Sequence, residues 1–269
     1  MRPAASIAVS LLAFAVPVAQ QPVRPQPVQT AERPVMSSAS RIVPPRAEYK
    51  LPNGRKFVYD VEWRLWSAGT ATLRTDAAGP EQRVTASADS TGVVALLYTV
   101  HDSFEAFLDS KTFCSSRITK KTEEGFRKRE MQIRFDSVRR KAVLNEKNLN
   151  SGATKQVERD TPGCVTDVVS AFYYIASLPL AQGATYIFPL NDGGETVDVR
   201  VNVEGAEEVT TPAGTYNTIR VQLEAAQGVV KERGSLWIWY SDDAERIPVQ
   251  MRARLFWGTL TMRLQRVER

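Results

Sequence analysis

From residue 48 to the C-terminus the apolar residues recur with a period of two. Phe57, Tyr59, Val61, Trp63 and Leu65 alternate with Lys56, Asp60, Glu62 and Arg64. Met131, Ile133 and Phe135 alternate with Gln132 and Arg134, and Val197, Val199, Val201 and Val203 with Asp198, Arg200 and Asn202. Ile247, Val249, Met251, Ala253 and Leu255 repeat the pattern near the end of the chain. Successive strand side chains point to opposite faces, so each segment buries one face and wets the other. Turn signals such as Asn191-Asp-Gly-Gly194 and Pro212-Ala-Gly214 separate the segments, and no helices are interspersed to make parallel crossovers. The expectation is a mainly β protein: one strongly curved antiparallel sheet, a half-barrel or open barrel, wrapped around one central helix.

That helix is expected within TPGCVTDVVSAFYYIAS, residues 161–177. Val165, Val168, Val169, Phe172, Tyr173, Ile175 and Ala176 fall at three- and four-residue steps and form an apolar stripe. Thr166 is placed to cap the helix, Asp167 to meet its dipole, and Pro179 to end it. Two strand regions, 235–241 and 255–264, are apolar on both faces and need a cover, for which the helix is the candidate.

Upstream, residues 1–19 have the order of a signal peptide: Arg2, an apolar run from Ile7 to Ala15, then small residues, with cleavage after Ala15 or Ala19. The run is shorter than the roughly 20 residues a membrane span needs, so no transmembrane anchor is expected. Residues 20–47 are rich in proline and poor in aromatic residues, and are read as a disordered leader. A single β-rich domain, 48–269, follows.

An even cysteine count in an exported chain invites pairing. Cys114 and Cys164 would close a loop of about 50 residues, worth about 4 kcal/mol by loop entropy. The net charge is +5, yet residues 111–160 alone hold fourteen Lys or Arg against seven Asp or Glu. Lys120, Lys121, Arg127, Lys128 and Arg129 are the candidate anion-binding residues there; guarding of exposed sheet edges is the plainer reading. Export argues against nucleic acid as a partner. Trp63, Trp66, Trp237, Trp239 and Trp257, with Tyr173, are candidates for lining an apolar groove. Asp242 and Asp243, beside Tyr240, are candidates for paired carboxylates. A Ser170, His101, Asp102 triad can be written down but lacks the nucleophile elbow. No glycine loop, dinucleotide fingerprint or metalloprotease motif is present, so no cofactor or metal is expected.

Four stretches together resemble a known family: GRKFVYDVEWRLWSAGTATLRTD, CVTDVVSAFYYIAS, TPAGTYNTIRVQ and SLWIWYSDDAERIPVQM with WGTLTMRL. They are similar, over about residues 50–267, to the bacterial exported proteins grouped as domain of unknown function 3108. The carriers of the resemblance are Ala68-Gly69, the Asp167, Ser170, Tyr173 spacing, the Thr211-Pro-Ala-Gly-Thr turn, and Ser241-Asp242-Asp243 with Pro248-Val249. Ile175-Ala176-Ser177 departs from the pattern, since such proteins often carry Arg there. The resemblance implies an exported fold like that of envelope lipoprotein carriers and envelope-integrity proteins, with no known catalytic residues.

The functional expectation is a non-catalytic periplasmic protein that binds a lipid or another hydrophobic or anionic envelope ligand, or maintains the envelope. The alternative is a hydrolase or lyase acting on an acidic envelope polysaccharide. Oligomeric state and ligand identity stay open.

Overall fold

The computed structural model describes residues 40–64, 66–225, 235–255 and 258–269. The expected signal peptide, residues 20–39 of the leader, Leu65 and Trp257 lie outside them. The first half of the domain is a meander: β1 (Arg55–Trp63), β2 (Trp66–Ala78), β3 (Glu81–Ser90), β4 (Val100–Asp109), β5 (Ser115–Glu124), β6 (Arg127–Asp136), β7 (Lys141–Asn148) and β8 (Thr154–Asp160). A six-residue helix, α1 (Gly92–Leu97), interrupts it between β3 and β4. The second half begins with β9 (Thr166–Asp167) and α2 (Ser170–Ser177). It continues through β10 (Thr185–Asp192), β11 (Glu195–Thr211), β12 (Gly214–Ala225), β13 (Ser235–Ser241), β14 (Pro248–Leu255) and β15 (Gly258–Glu268).

All fifteen strands form one sheet in the order β8-β7-β6-β5-β4-β3-β2-β1-β15-β14-β13-β12-β11-β10-β9. Consecutive strands pair antiparallel, except that β9 runs parallel to β10 and that β8 and β9 do not pair. The first and last strands, β1 and β15, splice the two meanders, with Tyr59 opposite Leu264 and Lys56 opposite Glu268. The sheet is open, and β8 and β9 are its edges. Alternation fills the core as expected: Phe57, Tyr59, Leu73, Val84, Leu108, Ile118, Ile133, Val201, Val221, Ile238 and Leu264 are all buried. Bulges at Val58/Tyr59, Phe107/Leu108 and Val203/Gly205 bend individual strands.

The helix starts later than its apolar stripe. Thr166 and Asp167 pair with β10 as a strand; Val169 is the N-cap of α2, and the Asp167 side chain, two residues ahead of it, takes the N–H groups that enter the helix. The Asp167 carboxylate accepts the backbone N–H groups of Val169 and Ser170, each at 3.0 Å, and the hydroxyls of Ser115 and Ser170, each at 2.7 Å. A fully buried carboxylate is tolerable because four donors meet it. Phe172 excepted, every residue of α2 is buried. Leu178, before Pro179, turns to extended backbone and ends it.

Two expectations are corrected. Residues 40–47, assigned to the disordered leader, are fastened to the domain: Arg41 N–H donates to Ile187 and Arg46 N–H to Ser177, while Val43 N–H meets the Tyr174 hydroxyl. Ile42 and Val43 pack on the core, so this short stretch recovers hydrogen bonds and apolar contact despite its prolines. Helix content is also larger than expected, because α1 forms from GVVALL, a run whose apolar character reads equally as strand.

A clasp joins the second meander to the first. Cys114 and Cys164 are disulfide-bonded, with Cα atoms 5.1 Å apart. Beside the bond, Ser115 N–H donates to the Val165 carbonyl at 2.8 Å, and farther along β5 the buried Lys120 pairs with Asp192 at the end of β10. The Cys114→Ser, Cys164→Ser variant should lose up to about 4 kcal/mol of stability in chemical denaturation. Asp167→Ala, which strands two buried hydroxyls and the N–H groups that enter α2, should cost about 2–4 kcal/mol even with the disulfide intact.

Candidate functional site

The expected groove residues do not converge on one surface. Strand alternation separates Trp237 and Trp239 from Ile238 and Tyr240, and it is Tyr240 that faces α2, donating to the Phe172 carbonyl at 2.8 Å. Tyr173 lies inside with Tyr59 and Tyr240; burial drives all three phenols well above their ordinary pKa. On the opposite face Trp237 Nε1 donates to Glu204 at 3.4 Å and Trp239 Nε1 to Glu207. Arg220 pairs with both glutamates, and the Arg252 guanidinium stands 5.5 Å from the Trp239 ring centroid. The second apolar face of β13 is thus covered by an ion-pair and indole lattice, not by the helix.

The basic residues also part company, for the same reason. Lys120 points inward to Asp192, while its neighbour Lys121 is exposed. Lys128 pairs with Glu123 at 2.6 Å and Arg129 with Glu146 at 3.5 Å, leaving Arg127 exposed at the β5–β6 turn. An open concavity of about 620 Å³ on β6–β8 is polar, lined by residues such as Gln132, Arg134 and Asn145.

The acidic turn is occupied with its own architecture. Asp243 accepts the N–H groups of Glu245 and Arg246 at 2.9 Å, Glu245 pairs with Arg55, and Asp242 stands 3.5 Å from the buried Arg246. Tyr240 is turned away into the core, so the turn offers no pair of free carboxylates with a phenol beside them. Ser170 is buried on Asp167, and His101 pairs with Asp89 on the surface, which leaves the triad unassembled.

What the strand pattern conceals is an apolar rim. Trp66, Val93, Leu96, Leu97, Tyr98 and Phe126 are exposed, Leu96 at 87% and Phe126 at 96%. Trp66 opens β2 opposite Trp63, whose ring lies 5.3 Å from the Arg64 guanidinium. Three residues on, Gly69 lets β3 press close: a Cβ there would sit 2.1 Å from the Asp89 carbonyl oxygen. The chain then leaves β3 with Thr91 N–H bonded to Ala68, and forms α1, which buries none of its residues. Tyr98 lies on Gly125, whose φ is +56°, and Phe126 follows it. Asn150 reaches the Phe126 carbonyl and Leu149 N–H the Lys128 carbonyl, bringing the half-exposed Leu149 alongside.

Just behind the rim, Asp102 is buried and its carboxyl is pushed up to about 6. Burial is the main cause and the Glu124 charge adds to it, while the Glu123 N–H bond works the other way. Well below pH 4 both folded and unfolded states hold the proton, so the shift costs nothing. As pH rises from about 4 through 6 the unfolded chain ionises first and stability falls, by about 1–2 kcal/mol once water's screening of the carboxyl is allowed for. Asp102→Asn, which keeps the acceptor, should match the native protein at pH 2.5 to 3 and exceed it at pH 7.5 in urea denaturation.

The comparisons agree with this frame. No curated protein matches the chain. A β-barrel-like protein of domain of unknown function DUF1849 from Brucella abortus superposes with a TM-score of 0.58 at 10% identity, covering 85% of this chain and 98% of that one. That likeness shows the fold. Weaker likenesses are to a protein from Bacteroides fragilis described as exported with a YmcC-like fold (TM-score 0.32, 11% identity) and one from Parabacteroides distasonis described as a lipoprotein (TM-score 0.33, 11% identity); each covers 82% of this chain and 98% of its own. The family model for proteins of unknown function DUF3108 matches residues 58–265, nearly the whole sheet, and the chain belongs to that family.

Proposed function

We propose that the protein is a non-catalytic binding protein of the extracytoplasmic envelope whose ligand is a lipid or a similarly apolar envelope molecule. One observation carries the reading. Of the eight large apolar side chains exposed among the described residues, seven (Trp66, Val93, Leu96, Leu97, Tyr98, Phe126 and Leu149) lie on the turns and the helix at one rim. Large apolar side chains gathered in the open on one rim mark an interaction site. The disulfide fits an oxidising compartment, as does the signal-like N-terminus. In this reading the sheet wraps α2, the interior is filled by Tyr59, Tyr173 and Tyr240, and the ligand meets the protein at its rim. Of the expected groove residues, Trp63 and Trp66 take part; Trp237, Trp239 and Tyr173 serve packing. Lys121 and Arg127, exposed beside the rim, are the basic residues available to an anionic headgroup.

Protein purified gently from the envelope should retain lipid in native mass spectrometry and bind a monomeric fluorescent fatty-acid analogue. Leu96→Asn with Phe126→Ser should weaken that binding roughly tenfold while leaving the melting temperature within about 2 °C, since both side chains are exposed. Ligand-free protein that also ignores the fatty-acid analogue would overturn the reading.

A further inference from the structure

The topology sorts the turns into two sets. In an antiparallel meander alternate connections emerge on the same side. The β1–β2, β3–β4, β5–β6 and β7–β8 connections therefore share one rim, and the β2–β3, β4–β5 and β6–β7 connections share the other. The second rim is built from Gly79-Pro80, Ser110-Lys111-Thr112 and Ser137-Val138-Arg139-Arg140, and Val138 is its one exposed large apolar residue among those described. The first rim carries the other seven. Composition alone does not produce such a difference between two rims of the same strands.

We infer that this apolar rim is a membrane-docking edge, which seats Trp66, Leu96, Leu97, Tyr98 and Phe126 in the headgroup and acyl boundary of a bilayer with anionic lipid. The inference rests on the proposed lipid-binding function and specifies the form the lipid takes: an assembled surface, not an extracted molecule. Three observations favour the surface. First, the side chains are strung along a line. At about 4.8 Å per strand, six strand spacings from the first of these turns to the last extend roughly 30 Å, and a plane touches such a line where a single acyl chain does not. Second, a site for one lipid molecule is normally concave and encloses most of its ligand. Here the sheet interior is packed with side chains, and α1 projects with none of its residues buried. Third, the residue types are those of an interface: Trp and Tyr at the headgroup level, with Leu and Phe beyond them.

Charge supplies the preference among lipids. Phe126 is followed by Arg127, Lys128 and Arg129. Lys128 and Arg129 neutralise Glu123 and Glu146, and among the described ion pairs Arg127, Lys121 and Lys147 have no carboxylate partner. At this tip two carboxylates outside those pairs stand against them: the exposed Glu124, and the half-buried Glu130, which lies opposite both Lys121 and Lys147 in register. The surplus at the tip is therefore cationic, and each such residue near an anionic surface adds to binding that salt weakens.

Flotation of the full chain with two vesicle compositions tests this: phosphatidylethanolamine with 30% phosphatidylglycerol, and phosphatidylcholine alone. The native protein should float with the anionic vesicles, less with phosphatidylcholine, and less as salt rises. Lipids brominated near the headgroup should quench part of its tryptophan fluorescence, and that part should shrink in Trp66→Leu. Leu96→Asn, Leu97→Asn, Phe126→Ser should cut partitioning at least about tenfold, and Arg127→Glu several-fold on the anionic vesicles only. Val138→Ser, on the other rim, should change nothing. A protein that binds the monomeric fatty-acid analogue but floats with neither vesicle overturns the docking edge and leaves the lipid-binding function standing. Failure in both assays overturns both. Concentration-dependent dimerisation abolished by the triple variant, without flotation, would assign the rim to a second copy of the chain and overturn the inference.

Discussion

The interaction on which the architecture depends is the buried carboxylate of Asp167. An isolated charge at that depth would be costly, and it is tolerated because β5 brings Ser115, the entry of α2 brings two backbone N–H groups, and the helix brings the Ser170 hydroxyl. One side chain thus ties the first meander, the parallel strand β9 and the helix. The disulfide next to it adds a covalent restraint to contacts already in register. Without this junction the two halves of the fifteen-stranded sheet would keep the β1–β15 splice and lesser ties such as Lys120 with Asp192 and Thr161 with Thr196.

The polar lattice on β11 to β14 solves a different problem. Trp237 and Trp239 place two indoles on the side of the sheet that lacks the helix. Glu204, Glu207, Arg220 and Arg252 cover them, each indole N–H finding a carboxylate. Aromatic bodies with polar tips suit such a half-dry surface. The same residue type therefore packs on one face of this molecule and stands free at its rim, where Trp66 has no comparable cover.

The strands were legible because the period of two is a local property, and so was the cysteine pair, because compartment and parity constrain it. The start of α2 was not, since Val165 and Val168 extend the apolar stripe into residues that pair with β10 instead. Lys120 misled because a cation in a basic run reads as surface, while its parity with Ile118 puts it inside; its pairing with Asp192 is visible only in three dimensions. The rim was the least legible feature. Trp66, Leu96, Phe126 and Leu149 stand 23 to 30 residues apart, and nothing but the meander brings them to one side. Counting tryptophans pointed instead to a groove, because indole number says nothing about which face each ring occupies.

The splice between β1 and β15 has a consequence for how the chain must come together in time. A chain made and delivered from its N-terminus can build the first meander strand by strand, because every partner from β2 to β8 follows at short range. One flank of β1 has no partner until the eleven residues of β15 arrive. For most of its emergence the chain presents a nine-residue edge carrying Phe57, Val58 and Tyr59, the kind of edge that recruits foreign strands. The second meander can also form hairpin by hairpin as it appears, but it joins the first through β1 only once β15 is in place. The terminal strand closes the molecule, and a chain stopped short of it is left with an adhesive seam along its first strand.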